Sequence, residues 1–169
     1  MYRLALVLAL LAAGTLVDAS AGVFMKFDGI DGEATDDRHK GWIDVLSVSW
    51  AMDKRVSPGS GLATGKRQHK PLTITKEIDK ATPLLMQVCS NGKPSNVEIE
   101  LTRRSPTGGE ETYLKITMQD VIVSSYSMGV DGGAQEGPGG EVVSLTYSKI
   151  TWTWTDGSVE YQDDWVAPK

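Results

Sequence analysis

The stretch TYLKITMQDVIVSSYSM, Thr112–Met128, reads as one long or bent β-strand, and the segments around it read the same way. NVEIELTRR, Asn96–Arg104, alternates Val97, Ile99 and Leu101 against Glu98, Glu100 and Thr102. That period of two marks a strand with one apolar face. EVVSLTYSKITWTWT, Glu141–Thr155, sets Val143, Leu145, Tyr147, Lys149 and Thr151 against Val142, Ser144, Thr146, Ile150 and Trp152, and reads as a further strand. SPTGGE, Ser105–Glu110, is a hairpin loop, and Gly129–Gly140 is a second, glycine-rich loop. Upstream, VFMKFD starts a strand at Val23 and WIDVLSVSWAMD, Trp42–Asp53, reads as a long one. PLTITKEI, Pro71–Ile78, places Leu72, Ile74 and Lys76 on one face and Thr73, Thr75 and Glu77 on the other. Asp156-Gly157 turns the chain into SVEYQDDW and a polar tail.

One helix stands among these strands, at about residues 82–91. Thr82 is a candidate N-cap, Pro83 suits the first helical position, PLLMQVC supplies the apolar face, and Asn91-Gly92 is a stop signal. Many strands, one helix and glycine-rich loops predict a mainly β fold, an antiparallel barrel or sandwich. The 169 residues suit one domain, and 40% hydrophobic content suffices for a core. A net charge of −5 argues against a nucleic-acid partner, which calls for a basic face.

The N-terminus differs in kind. LALVLALLAA, Leu4–Ala13, has the length of a signal-peptide core, and Ala19-Ser20-Ala21 is a cleavage pattern. Residues 1–21 therefore read as a secretory signal ahead of one domain at 22–169, and the run is short for a stable membrane span. Cleavage would send the chain to the periplasm or medium. A mis-assigned start near Val23 would leave it in the cytoplasm.

SPGSGLATGKRQ, Ser57–Gln68, looks like a phosphate loop, but Ser60 stands where the first glycine belongs. Arg67 replaces the hydroxyl that would meet Mg²⁺, and a strand rather than a helix follows. The stretch reads instead as a mobile connector. DGIDGEATDD, Asp28–Asp37, fails the EF-hand pattern from either starting aspartate. Cys89, in PLLMQVC, reads as a buried thiol. Neither His39 nor His69 shows metal-ligand spacing or a recognisable partner, and Glu98 and Glu100 read as a solvated strand face. No catalytic, cofactor or metal residue is expected. Trp152 and Trp154 share a sheet face and suit core or subunit-contact packing.

Taken as a set, VFMKFDGIDGEATDDRHKGWIDVLSVSW, LTITKEIDKATPLLMQVCSNGK and YLKITMQDVIVSSYSMG with VVSLTYSKITWTW resemble the Hcp family, from about Val23 to Trp154. The resemblance implies two packed β-sheets with a helix at one side. It implies hexameric rings that stack into the type VI secretion inner tube, driven by sheath proteins, capped by a VgrG-like spike and carrying small effectors. The alternatives from other classes are an exported ring-forming scaffold and a small hydrolase. By resemblance, Ser49, Gln87, Ser90 and Asp131 are candidate lumen-facing residues. Gly59, Gly61, Gly65, Lys66 and Arg67 belong to a candidate loop reaching the next subunit or ring.

Overall fold

A computed structural model describes residues 21–130 and 139–165. The strands are β1 (Val23–Phe27), β2 (Ile43–Asp44), β3 (Ser47–Ser49), β4 (Met52–Val56), β5 (Ala63–His69), β6 (Leu72–Glu77), β7 (Ser95–Arg104), β8 (Glu110–Gly129), β9 (Gly140–Thr146), β10 (Lys149–Trp154) and β11 (Val159–Asp164), with helix α1 (Thr82–Asn91) between β6 and β7. The order β1-β7-β8-β9-β6 is antiparallel throughout.

Trp42–Asp53 is not one strand. Its first part pairs with β1 and its second with β6. Between them the Val45 N–H donates to the Val23 carbonyl at 2.9 Å and the Leu46 N–H to the Thr75 carbonyl at 2.8 Å. This kinked segment therefore joins the two ends of the sheet and closes it into a barrel, which removes those edges. The preceding loop presses Gly32 onto the backbone of Trp42 and Ile43, where a Cβ would collide.

The long strand expected over Thr112–Met128 is present and bends at Asp120, which takes a φ of 50°. Before the bend β8 lies between β7 and β10; beyond it β8 pairs with β9. Glu141–Thr155 is two strands, not one, because it follows β8 around the same bend. The inward side chains run Val143, Leu145 and Tyr147, then skip to Ile150. Ser148 sits at the slip, where its hydroxyl donates to Asp120 Oδ2 at 2.7 Å. After the Asp156-Gly157 turn, Val159–Asp164 is a strand paired with β10, and it is the open edge of this extension.

Helix α1 begins one residue earlier than its sequence suggests, with Ala81 rather than Thr82 at the N-cap. The Thr82 hydroxyl is needed elsewhere. It accepts from the Asp79 N–H at 3.1 Å and donates to Glu141 Oε2 at 2.8 Å. The stop is as expected: Gly92 takes a φ of 62° and returns its N–H to the Val88 carbonyl. Leu85 is buried against the barrel, and Cys89 is half-buried beside the core.

Lys76 shares the inward face of Leu72 and Ile74, and its ammonium is fully buried. It donates to Glu141 Oε1 at 2.8 Å, Asp79 Oδ1 at 2.8 Å and the Glu77 carbonyl at 2.6 Å. Glu141 Oε2 accepts from Tyr126 at 2.6 Å and from Thr82. Removing one partner would strand a charge away from water. Glu141→Ala is therefore expected to lose about 3–5 kcal/mol of unfolding free energy. The double change Lys76→Met with Glu141→Leu is expected to lose less than the single one in urea melts.

Candidate functional site

β4 and β5 form a two-stranded ribbon with no ladder to the barrel. Every residue of β4 is exposed. The connector expected at Ser57–Gln68 is thus partly wrong: Ala63–His69 is strand, and the turn is only the residues between Val56 and Ala63. Cross-strand hydrogen bonding wins here, because Ser57 and Leu62 close the turn at 2.8 Å and allow Val56 to face Ala63. Gly61, at a φ of 68°, supplies the left-handed step.

A lone ribbon is marginal in water, so its root must be held. His69 does this. Its ring is buried, with Nδ1 2.9 Å from the Tyr147 hydroxyl and Nε2 3.1 Å from Asp163 Oδ2. The Trp50 indole N–H donates to the Tyr147 oxygen at 2.6 Å. An indole only donates, so the Tyr147 hydrogen points to His69 Nδ1 and the His69 Nε2–H points to Asp163. Burial pushes the Tyr147 hydroxyl up to about 12, which keeps that hydrogen in place. Asp163 also receives the Arg67 guanidinium and the Tyr161 hydroxyl. Burial opposes its charge, but the bonds from Arg67, Tyr161 and His69 outweigh it and hold the carboxyl below the usual range. Trp165 packs edge-on to Tyr147, with ring centres 5.1 Å apart.

The second histidine holds the loop after β1. His39 stacks on Phe24 with ring centres 4.2 Å apart. Its Nδ1 lies 2.6 Å from Asp36 Oδ1 and its Nε2 3.0 Å from Glu100 Oε2. Glu100 also accepts from Thr112 at 2.7 Å and pairs with Lys115 at 2.9 Å. Burial raises the Glu100 carboxyl, yet His39, Lys115 and Thr112 bring it down to about 2. Glu98 pairs with the same Lys115 at 2.7 Å, so neither glutamate is a bare solvated face. Asp36, His39 and Glu110 each bring one potential metal-ligand atom within 4.8 Å of the others, but the first two are already bonded to each other.

Both histidines therefore have partners that spacing did not reveal. Tyr147 and Asp163 stand 78 and 94 residues from His69 in sequence. Only Asp36, three residues before His39, was a local signal. The expected assembly residues are spread out. Ser49 is exposed on β3, while Gln87 and Ser90 are exposed on α1, which packs against β8. β9 and β6 separate those strands in the sheet. Asp131 lies outside the described residues, as do residues 1–20 of the expected signal. Gly59 and Gly61 are in the ribbon turn, and Gly65 and Lys66 are exposed on β5. Arg67, on the same strand, pairs with Asp163 of its own chain. Trp152 packs beside Trp50, with ring centres 5.0 Å apart, whereas Trp154 is exposed beside Arg103 and Tyr113.

Residues 24–154 match the family model described as type VI secretion system effector, Hcp. The chain is 34% identical over 154 residues to the Major exported protein of Pseudomonas aeruginosa, covering 88% of each chain. It is 40% identical over 131 residues to Protein hcp1 of the same organism, covering 76% of this chain and 79% of that one. The solved structure of the Hcp1 protein from the E. coli EAEC 042 pathovar aligns at a TM-score of 0.74 and 27% identity, over 86% of this chain and 98% of that one. Hcp1 from Salmonella typhimurium aligns at 0.68 and 29%, over 86% and 96%. The chain belongs to the Hcp family.

Asp163→Asn weakens charge-assisted bonds worth about 1.5–3 kcal/mol, so amide exchange across residues 52–68 is expected to quicken roughly ten- to a hundredfold, more than in the barrel strands. The Glu100 carboxyl lies below its ordinary 4.5 in the folded chain. Its stabilisation is therefore complete above about pH 4.5 and is lost as pH falls toward 2. In urea titrations between pH 7 and 3, Glu100→Gln is expected to be less stable at neutral pH and to show a shallower acid decline than the natural chain.

Proposed function

We propose that this chain is the structural subunit of a type VI secretion inner tube, forming hexameric rings that stack and carry small effectors in the lumen. The observation that carries this reading is the family match, which runs from the first barrel strand to the end of β10. The closed barrel and its projecting ribbon suit such a role. A rigid body with a protruding element makes heterologous contacts, which close by rotation into a ring or extend by translation into a stack. Catalysis has no part in it. The proposed partners are other copies of the chain, the sheath, a VgrG-like spike and effectors. In this reading Ser49, Gln87, Ser90 and Asp131 face the lumen, while Gly59, Gly61, Gly65 and Lys66 lie in the ribbon that reaches the next ring.

A second reading is favoured by one feature, the apolar run Leu4–Ala13 followed by Ala19-Ser20-Ala21. Export through that segment, with 22–169 as the mature domain, would make the protein a ring-forming scaffold outside the cytoplasm. The native mass and the N-terminal residue together separate the readings. The tube reading expects a particle of six chains with an uncleaved or later start, found in the medium only when the sheath machinery works. A terminus at Gly22 with secretion independent of the sheath would favour the scaffold. A monomer in solution would sink both.

A further inference from the structure

The projecting ribbon and a groove lined by carboxylates occupy opposite ends of one strand. β5 leaves the ribbon at His69 and the chain becomes β6 at Leu72. β6 spans six residues, or about 20 Å at the usual rise of a strand. β3 runs antiparallel beside it, with Ser47 opposite Thr75 and Ser49 opposite Thr73, and then leads into β4. The ribbon therefore departs at the Leu72 end. At the other end Glu33, Asp44, Leu46, Glu77, Ile78 and Asp79 line a groove.

The two ends carry opposite and unspent charge. On the ribbon, Lys70 pairs with Asp53 and Arg67 with Asp163. Lys54, Arg55 and Lys66 are exposed and have no carboxylate partner among the described residues. In the groove, Asp79 shares Lys76 with Glu141, but Glu33, Asp44 and Glu77 meet no cation among the described residues. The Asp44 carboxyl is raised first by burial and then by the nearby charges of Asp79, Asp36 and Glu77, as a locally negative field demands. Each end also shows apolar surface, Leu46 at 65% exposure beside the groove and Leu62 at 69% on the ribbon turn. Within one chain the length of β6 keeps the two ends apart. A second copy displaced along the strand direction brings them together.

We propose that the basic ribbon of one copy docks in the Glu33–Asp44–Glu77 groove of a second copy in the adjoining ring. The proposal rests on the tube reading and names the acceptor surface on which stacking depends. The contact is heterologous and open, so it extends without closing. It also imposes polarity, since groove against groove and ribbon against ribbon set like charges together.

Two variants of the full chain test the contact. Lys54→Glu with Lys66→Glu makes the ribbon acidic, and Glu33→Lys with Glu77→Lys makes the groove basic; all four positions are exposed. Electron microscopy and sedimentation velocity would count rings and stacks. Each variant alone is expected to form rings but to lose stacks by at least about tenfold, because several ribbons act together on one ring face. An equimolar mixture is expected to restore them, since each ribbon then meets a groove of opposite sign. Natural stacks are expected to dissociate as salt rises from about 50 to 500 mM. Variants that stack like the natural chain, or a mixture that stays unstacked, overturn the charge-matched groove. Rings that stack unaltered after residues 56–66 are replaced by a short turn overturn the ribbon contact and leave the tube reading standing, whereas natural rings that never stack overturn the tube reading beneath it.

Discussion

The fully buried pair of Lys76 and Glu141 is the constraint around which the rest of the fold is arranged. An ammonium with no water around it is tolerable only when its donors are all met and an opposite charge is in contact. Meeting that demand draws in four elements. Lys76 comes from β6 and Glu141 from β9, Tyr126 reaches across from β8, and Asp79 with Thr82 comes from the entry to α1. The helix therefore starts where Asp79 and Thr82 are already fixed. The N-cap falls at Ala81, one residue before Thr82, whose hydroxyl accepts from the Asp79 N–H while donating to Glu141.

The bend at Asp120 is the second organising feature. It lets a single strand belong first to the β7–β10 side and then to the β9 side of the barrel. The neighbouring strand must turn with it, which is why the inward face slips at Ser148. Closure through Ile43–Ser49 then leaves the barrel without a free edge there, and association has to use other features. The ribbon β4–β5 is such a feature. It is nearly all exposed, yet its root is anchored by a continuous chain of hydrogen bonds from Trp50 through Tyr147 and His69 to Asp163. That anchor gives a marginal element a fixed direction, which a part that reaches a neighbour needs.

Much of this was legible in the residue pattern. Period-two alternation placed β6 and β7, because each buries one face and water selects the residues on the other. It even placed Lys76 with the core residues of its strand, although a lysine on an inward face carries no mark of its partner. The glycine stop of α1 was visible for a local reason: a left-handed residue is a property of one position. The failures were at Ser148 and at Val45–Leu46, where a strand bends or changes partner without any proline or glycine to announce it.

What the sequence determined alone was the class of fold, the helix at Thr82–Asn91, the absence of a phosphate-loop spacing and the likeness to Hcp, all of which rest on local order along the chain. Tertiary structure decided the rest. It closed the barrel, turned an apparent connector into an anchored ribbon, and paired Arg67 with Asp163. It also gave each histidine its carboxylate, across 61 residues for His39 and Glu100 and 94 for His69 and Asp163. The physical reason is the same in each case. Alternation records whether a side chain meets water, but a hydrogen bond or ion pair depends on which distant strand the fold lays beside it.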